Sequence, residues 1–423
     1  MWKRYAPDKT SPKALTNRRG DVGIKWTLAA IASAVVVSAC GTFHMTASGG
    51  RSTPLTPRMT GLTVTGPDAV RAVWTLPWPY PPSAPRTSVV GGGGAGPATI
   101  VMRSPSHWMW VGLPGGPLWR EGTGRGPQTL ATTITATAVV NSTRVMGSMQ
   151  TGSGNSNLVA IHASTVHRAS WPVPVPRVQG LNAGASSGIA SAPSGNIWIV
   201  GGTVVQPAIP ATAYHDPGLL APLFHPILAE VTSSGHVMRQ VVLSHLVVGG
   251  VSGLTRAPDG SLWFGINTGR YEVGPQIYRG PAELVHWSPS TGRLAVYPVP
   301  RTWGHEALLG QILTEGSTVW ASLQYSPDGS NSGRTTFLLR FNTSSHGWSA
   351  YPVQGGSIDT WTLTPTGTVV SVVHAGGSLA IAHHIVARVQ PGYVVVGVVA
   401  QGPRMYLVVS GHHRIQLVAI SAK

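Results

Sequence analysis

The chain has 423 residues, of which 42% are apolar and 10% are charged, and it contains one cysteine. This composition excludes wholesale disorder and any internal disulfide, and outside the N-terminal stretch no apolar run is long enough to span a bilayer. The formal net charge is +16, but the arginines are scattered singly, which argues against nucleic acid as a partner.

The first predicted element is an export signal. Basic residues precede an apolar run over 26–39, and this run ends directly before Cys40. A positive segment, a short apolar segment and small residues before a cleavage point are typical of a signal peptide. The tetrad Val37-Ser38-Ala39-Cys40 resembles the bacterial lipobox. This resemblance implies that residues 1–39 are removed and that Cys40 carries a diacylglycerol.

Two alternatives to this lipoprotein interpretation remain open. The first is an uncleaved anchor, although a run of 14 residues is short for a hydrocarbon core of about 30 Å. The second is twin-arginine export, suggested by Arg18-Arg19 but not by the residues that follow. Cleavage would remove seven basic and two acidic residues, which leaves 22 basic residues, 11 acidic residues and a net charge of +11. We expect an exported protein whose lipid holds it on the extracytoplasmic face of the cell membrane.

A flexible tether follows the predicted cleavage site. Residues 40–60 are rich in Gly, Ser and Thr and have no hydrophobic period, which is typical of a linker. The remaining residues, 61–423, form the predicted folded domain.

Internal repeats determine the predicted fold of that domain. Residues 251–265 (VSGLTRAPDGSLWFG) and 186–202 (SSGIASAPSGNIWIVGG) each contain two apolar strands joined by a Pro-x-Gly turn. A second phrase, clearest at 284–300 (LVHWSPSTGRLAVYPVP), supplies two more strands. Four short strands, labelled A to D from the inside out, recur at roughly 45–60 residues, and this spacing predicts an all-β propeller.

The repeats predict seven blades. The last unit lacks its D strand, and a lone D-like strand at 69–77 precedes the first full unit. We therefore expect this N-terminal strand to complete the last blade and to close the ring, so that no open edge remains. Four tryptophans at equivalent B-strand positions are predicted to lie in the blade cores: Trp110, Trp198, Trp263 and Trp320.

These phrases resemble the repeats of the streptogramin B lyase and NHL-type propellers, most closely at 253–264 and 290–300. In the lyases, the resemblance implies Mg²⁺ held by Glu and a His acid/base. The matching positions here are Gly201, Gly265 and Ser322, and none is a carboxylate. We therefore predict no metal and no cofactor, and we find no other catalytic motif.

Topology supplies the candidate site. The longest B–C loops, 201–227, 267–282 and 325–336, belong to consecutive blades and share one face with the D–A loop 301–306. Recognition residues concentrate on loops held by rigid scaffolds, although ordinary solvated loops remain an alternative. The candidate ligand-binding residues are Tyr214, His215, Asp216, His225, Arg270, Tyr271, Glu272, Tyr278, Arg279, Trp303, His305, Glu306 and Tyr325.

We expect this site to make the protein a non-catalytic binding or scaffolding module for a peptide, an envelope protein or a glycan. The alternative is an enzyme related to the streptogramin B lyase or lactonase propellers, with a divergent or lost metal site. Its chemistry would then fall on the histidines and glutamates of these loops: His215, His225, His305, Glu272 and Glu306.

Overall fold

A computed structural model describes most of the folded domain. The described residues are 62–64, 70–79, 98–104, 107–113, 116–121, 127–134, 136–141, 144–150, 156–162, 169–172, 188–192, 194–206, 218–220, 223–232, 236–267, 270–273, 276–279, 281–303, 307–325, 335–352, 358–373, 376–382, 384–412 and 414–421. The predicted signal peptide, Cys40 and the tether lie outside them. Within this part of the chain, no helix is long and apolar enough to cross a membrane.

Regular structure in the described residues is β-structure, apart from a single 3-10 turn at Arg301–Trp303. The strands are β1 (Leu62–Val64), β2 (Val70–Leu76), β3 (Thr99–Ser104), β4 (His107–Gly112), β5 (Gly116–Arg120), β6 (Gln128–Ile134), β7 (Ala136–Asn141), β8 (Arg144–Gln150), β9 (Ser156–His162), β10 (Ala169–Pro172), β11 (Gly188–Ser191), β12 (Ile197–Gln206), β13 (Gly218–Leu220), β14 (Leu223–Val231), β15 (Val237–Val242), β16 (Gly250–Arg256), β17 (Leu262–Asn267), β18 (Arg270–Val273), β19 (Gln276–Arg279), β20 (Ala282–Trp287), β21 (Leu294–Pro298), β22 (Ala307–Glu315), β23 (Thr318–Tyr325), β24 (Thr335–Asn342), β25 (Gly347–Tyr351), β26 (Ile358–Leu363), β27 (Val369–Val373), β28 (Ser378–Ile381), β29 (His384–Val389), β30 (Tyr393–Gln401), β31 (Arg404–Gly411) and β32 (Arg414–Ser421).

The described strands pair antiparallel into seven long sheets and one small sheet, and the architecture is an all-β propeller. From the inner to the outer strand, the long sheets are sheet 1 (β3-β4-β5-β6), sheet 2 (β7-β8-β9-β10), sheet 3 (β11-β12-β14-β15), sheet 4 (β16-β17-β20-β21), sheet 5 (β22-β23-β24-β25), sheet 6 (β26-β27-β28-β29-β1) and sheet 7 (β30-β31-β32-β2). The small sheet, β13-β18-β19, is named the accessory sheet.

The predicted turns explain why each hairpin forms. At the Pro-x-Gly turn of sheet 4, Gly260 has a φ of 90°, a conformation that glycine adopts without steric cost. Ala257 N–H donates to Ser261 O (2.9 Å), which closes the turn. In the second phrase, Gly292 has a φ of 69° and its N–H donates to Ser288 O (2.8 Å).

Apolar side chains between neighbouring sheets form the core of the propeller. Sheets 3 and 4 share one buried cluster, sheets 4 and 5 a second, sheets 5 and 6 a third, and sheets 6 and 7 a fourth. A further cluster joins sheet 7 to sheet 1, and the inner strands of sheets 1, 2 and 3 contact one another in turn. The sheets therefore follow one another around a ring, as the repeats predict.

The N-terminal strand completes the last sheet, and this prediction is confirmed. Strand β2 pairs with β32, with Val73 opposite Val418 and Leu76 opposite Ile415. Leu76 is buried in the cluster between sheets 7 and 1, so one chain segment joins the first and last parts of the ring.

The strand count differs from the prediction of seven four-stranded blades. Among the described residues, six sheets have four strands, while sheet 6 has five because β1 pairs with β29. Leu62 is 1% exposed and belongs to the cluster between sheets 6 and 7. This three-residue strand is too short for its period to stand out in the sequence, so it was not predicted.

The four B-strand tryptophans lie in the core, as predicted, with exposures of 0 to 5%. Each stands opposite a charged or titratable residue of the neighbouring C strand: Arg120, Glu230, His286 and Arg340 respectively. The His286 ring stacks on Trp263 at 4.4 Å, and the Arg340 guanidinium lies over Trp320 at 6.0 Å. In sheets 4 and 5, a titratable or charged side chain of the C strand therefore covers the tryptophan ring.

Candidate functional site

Two of the long B–C connections predicted to carry a site are joined in the accessory sheet. Strand β13 leaves the connection of sheet 3 and pairs with β18 of sheet 4, with Leu219 opposite Glu272 and Leu220 opposite Tyr271. Strand β18 pairs in turn with β19, where Tyr271 stands opposite Tyr278. A three-residue ladder thus ties the loops of neighbouring sheets into one platform.

The β18–β19 hairpin keeps the strand register of sheet 4. Asn267 pairs with Ala282 at the end of the β17–β20 ladder, and Arg270 pairs with Arg279 three residues farther along each strand. The register is therefore unchanged between the two ladders. The hairpin is carried by strands of a propeller blade. Loops held by a rigid scaffold in this way often carry binding residues.

The base of the accessory sheet is closed by residues 243–250, which connect sheet 3 to sheet 4. Phe224 N–H donates to Val248 O and Val248 N–H donates to Phe224 O, both at 2.8 Å. Gly249 N–H donates to Asn267 O at 2.7 Å. Backbone hydrogen bonds therefore link β14, the strand of sheet 3 that follows β13, to the end of β17, the strand of sheet 4 that leads into β18.

His225 is held at this base in a defined orientation. Its Nδ1 lies 2.6 Å from Leu246 O, so this nitrogen carries the proton and donates to the carbonyl. In the neutral ring, Nε2 then carries no proton and can accept a hydrogen bond. His225 is half-buried, and this is the best-defined chemical group among the predicted site residues.

Glu283 lies on the other side of the same base and was missed by the sequence analysis. It follows Ala282, it is half-buried, and burial raises the pKa of its carboxyl group. It stands opposite Ile266 near the end of the β17–β20 ladder, next to the strand end that accepts the hydrogen bond from Gly249. Its position directly after the long loop 267–282 was the available signal.

The remaining predicted residues do not all join this platform. Trp303 is half-buried and packs on the cluster between sheets 4 and 5, which also contains Val299 and Leu309, so it supports the propeller itself. Five predicted residues lie outside the described residues: Tyr214, His215, Asp216, His305 and Glu306.

The residues present do not fit the magnesium ion that the lyase resemblance implies. A Cβ atom at Gly265 would lie 2.7 Å from Leu309 Cβ and 2.7 Å from Ser252 Oγ, so a carboxylate side chain has no room there. At a second matching position, Ser322 Oγ accepts a hydrogen bond from Gln311 N–H (2.9 Å). Among the described residues, no three His, Cys, Asp or Glu side chains form a group that could hold a metal ion.

A second polar cluster lies at the opposite end of sheet 4, at the Pro-x-Gly turn. Ser261 donates to Asp259 through both its Oγ (2.7 Å) and its N–H (2.9 Å). Burial raises the pKa of Asp259, but these bonds, with His286 and Arg256, outweigh burial and lower it. Burial lowers the pKa of His286, and Asp259 opposes that effect. These contacts order the turn.

No family model matches this chain, and a search of curated proteins finds no match. Solved structures do resemble it. The extracellular domain of a one-component system from B. thetaiotaomicron has 13% identity and a TM-score of 0.45; the match covers 77% of this chain, which spans 38% of that one. A catalytically inactive virginiamycin B lyase from Staphylococcus aureus with quinupristin has 13% identity and a TM-score of 0.47, over 78% of this chain and 95% of the lyase.

TolB from Acinetobacter baumannii is also similar, with 12% identity and a TM-score of 0.37, over 76% of this chain and 63% of TolB. These neighbours differ in function, and identities this low do not transfer an activity. The function is therefore argued from the strand pairing and the side chains of this chain.

Proposed function

We propose that this chain is an exported, lipid-anchored β-propeller that binds a peptide, an envelope protein or a glycan. The lipobox-like tetrad ending at Cys40 supports the anchor, and the Gly- and Ser-rich residues 40–60 support a tether between lipid and propeller. The binding surface is the accessory sheet with the adjoining base that carries His225 and Glu283.

The observation that carries this proposal is the pairing of β13 with β18. Ordinary surface loops on neighbouring blades have no need of a shared ladder. Ordering such loops costs about 1–2 kcal/mol per residue in backbone entropy. Because the platform is already ordered, binding of a partner does not incur this loss of entropy. The register also places Arg270 opposite Arg279 and Tyr271 opposite Tyr278, and Tyr and Arg are the residue types that dominate recognition.

The experiment uses the full-length protein on beads to capture solubilised envelope proteins and purified cell-wall polysaccharide. We expect the Arg270→Ala/Tyr271→Ala/Arg279→Ala variant to lose at least tenfold in captured partner while melting like the wild type.

The control replaces three exposed arginines elsewhere on the propeller, Arg71, Arg293 and Arg388, and removes more positive charge than the test variant does. A partner that the test variant retains, or that the control also loses, would place the interface elsewhere.

An enzyme of the lyase or lactonase propeller type is the second candidate, and the orientation of His225 favours it. A histidine whose Nδ1–H is fixed by a carbonyl offers Nε2 as a base. The lack of room at Gly265 weighs against it. Turnover of a lyase or lactonase substrate that is lost in His225→Gln, while the partner is still captured, would favour the enzyme.

The complete architecture belongs to the same proposal: a seven-bladed ring over 61–423, with sheet 6 as a blade whose outer edge is covered by β1. Seven long sheets in chain order, and clusters that join sheet 7 to both neighbours, support this count.

A further inference from the structure

The two faces of the accessory sheet carry different kinds of residue. Residues alternate between the faces along each strand, and residues directly opposite each other in neighbouring strands share a face. The register of β13, β18 and β19 therefore assigns each residue to a face. The first face holds Leu219, Arg270, Glu272, Ile277 and Arg279, and the second holds Gly218, Leu220, Tyr271, Val273, Gln276 and Tyr278. The charged residues of the sheet thus share the first face, which we name the arginine face.

Two positive charges stand directly opposite each other on the arginine face. Arg270 of β18 pairs with Arg279 of β19. Like charges at directly opposed positions destabilise an antiparallel pair, so this pair does not serve the stability of a small sheet of three short strands. An anion bound by both residues offsets their repulsion, and this indicates a ligand.

The acidic residue of the arginine face does not balance the two arginines. Glu272 stands opposite Leu219 in β13 and opposite Ile277 in β19, so both of its directly opposed neighbours are apolar. Two arginines and one glutamate leave one positive charge in excess on this face. Without residues 1–39 the chain as a whole has a net charge of +11, which attracts anions to its surface. The arginine face therefore fits a negatively charged group.

An opposed pair of arginines selects among anionic groups. Opposed Cα atoms in an antiparallel pair lie about 4.5–5.5 Å apart, so two arginine side chains at such positions are long enough to reach one small group. A guanidinium binds carboxylate or phosphate as a fork, through two parallel hydrogen bonds. A carboxylate offers two oxygens to such forks, whereas a phosphate monoester offers three terminal oxygens. A phosphate monoester is therefore the better match for two guanidiniums.

We propose that Arg270 and Arg279, placed opposite each other by the β18–β19 register, together bind a phosphate monoester of the partner. This inference rests on the proposed function, in which the accessory sheet is the binding surface, and it names the chemistry that this surface recognises. Phosphate monoesters occur on phosphorylated polysaccharides and on the headgroup of phosphatidic acid, and an extracytoplasmic protein meets both.

The first measurement is titration of the full-length protein with inorganic phosphate, and with malonate as a dicarboxylate, at constant ionic strength. We expect phosphate to bind at least threefold more tightly than malonate. The variant Arg270→Gln/Arg279→Gln is expected to weaken phosphate binding at least tenfold. The matched control, Arg71→Gln/Arg388→Gln, removes the same charge from exposed arginines of β2 and β29 and is expected to change the affinity less than twofold.

A lysine variant separates the geometry of the arginines from their charge. Arg270→Lys/Arg279→Lys keeps both charges and their repulsion, but each ammonium binds phosphate as a point charge rather than as a planar fork. We expect this variant to melt like the wild type and to lose at least threefold in phosphate affinity. Wild-type affinity in the lysine or the glutamine variant would overturn the proposal, as would an equal loss in the Arg71→Gln/Arg388→Gln control.

The source of the phosphate is tested with two pairs of probes. The first pair is a phosphorylated polysaccharide before and after phosphatase treatment. The second pair is vesicles of phosphatidic acid and of phosphatidylglycerol, offered to the Cys40→Ala protein so that a lipid on the chain does not contribute. Binding that inorganic phosphate displaces and that is confined to the monoester member of a pair supports the proposal and identifies the source. Binding to neither monoester probe would overturn it.

Capture of a partner distinguishes this proposal from the proposed function on which it rests. The two tyrosines of the second face supply the comparison, because Tyr271→Ala/Tyr278→Ala alters the accessory sheet without removing charge. A partner that this variant loses but Arg270→Gln/Arg279→Gln retains would overturn the phosphate site and leave the accessory sheet as the binding surface. A partner that both variants retain would overturn the proposed function, and the phosphate site with it.

Discussion

Replacing Leu76 with alanine tests whether the N-terminal strand closes the propeller. Leu76 is 2% exposed and packs with Trp119 of sheet 1 and Ile415 of sheet 7. The next residue, Pro77, accepts a hydrogen bond from Trp119 Nε1 (2.9 Å). A residue from near the start of the described chain thus belongs to the core between the first and last sheets.

The expected loss in the free energy of unfolding follows from this burial. Three buried carbon groups at about 0.8 kcal/mol each amount to roughly 2.5 kcal/mol before any cavity is counted. Leu→Ala changes in protein cores cost about 2–5 kcal/mol. The assay is urea denaturation followed by tryptophan fluorescence. The control is Arg71→Ala, because Arg71 is an exposed residue of the same strand. This control substitution is expected to change the free energy of unfolding by no more than about 0.5 kcal/mol. A Leu76→Ala variant as stable as the control would refute the closure.

Three further predictions concern particular side chains. Burial lowers the pKa of His286, so the unfolded chain binds this proton more readily than the folded one. The stabilisation is therefore complete above about pH 6.5, the ordinary value, and is lost as the pH falls below it through the lower pKa of the folded protein. The variant His286→Asn should flatten this fall in melting temperature relative to His384→Asn at an exposed site, and parallel profiles would contradict this. The variant Gly265→Ala should lower the free energy of unfolding by about 1–3 kcal/mol, because the added methyl group overpacks against Leu309. The control Gly250→Ala should lower it little, because the nearest atom is 4.0 Å from the added Cβ. Equal melting temperatures of the two variants would contradict the overpacking at Gly265. Cys40→Ala should abolish incorporation of labelled fatty acid and release the protein from membranes, whereas Ser38→Ala should retain both; continued membrane fractionation of Cys40→Ala would contradict the lipid anchor.

The local phrases of the sequence were sufficient to predict the propeller. A Pro-x-Gly turn between two apolar runs specifies a hairpin by itself, and Gly260 and Gly292 adopt the positive φ angles that such turns require. The repeated tryptophans identified the blade cores for the same reason. The last unit contains only three strands where the repeat requires four. The D-like strand at 69–77 was therefore predicted to supply the fourth, and β2 does so.

Features that depend on contacts between distant segments were not predictable in this way. The ladder between β13 and β18 joins residues about fifty positions apart, and nothing in the period of either segment indicates it. Strand β1 has three residues, which is too few to show alternation. Trp303 stands in a loop by sequence but packs on the cluster between sheets 4 and 5, because burial of an aromatic ring depends on what the fold brings beside it.

Hydrogen exchange of the full-length protein, with and without its captured partner, tests the proposed binding surface most directly. We predict that the partner slows exchange at 218–220 and 270–279, where the accessory sheet lies, and leaves the turns at 258–260 and 288–293 unchanged. Protection confined to those turns, with the accessory sheet exchanging as in the free protein, would contradict the account.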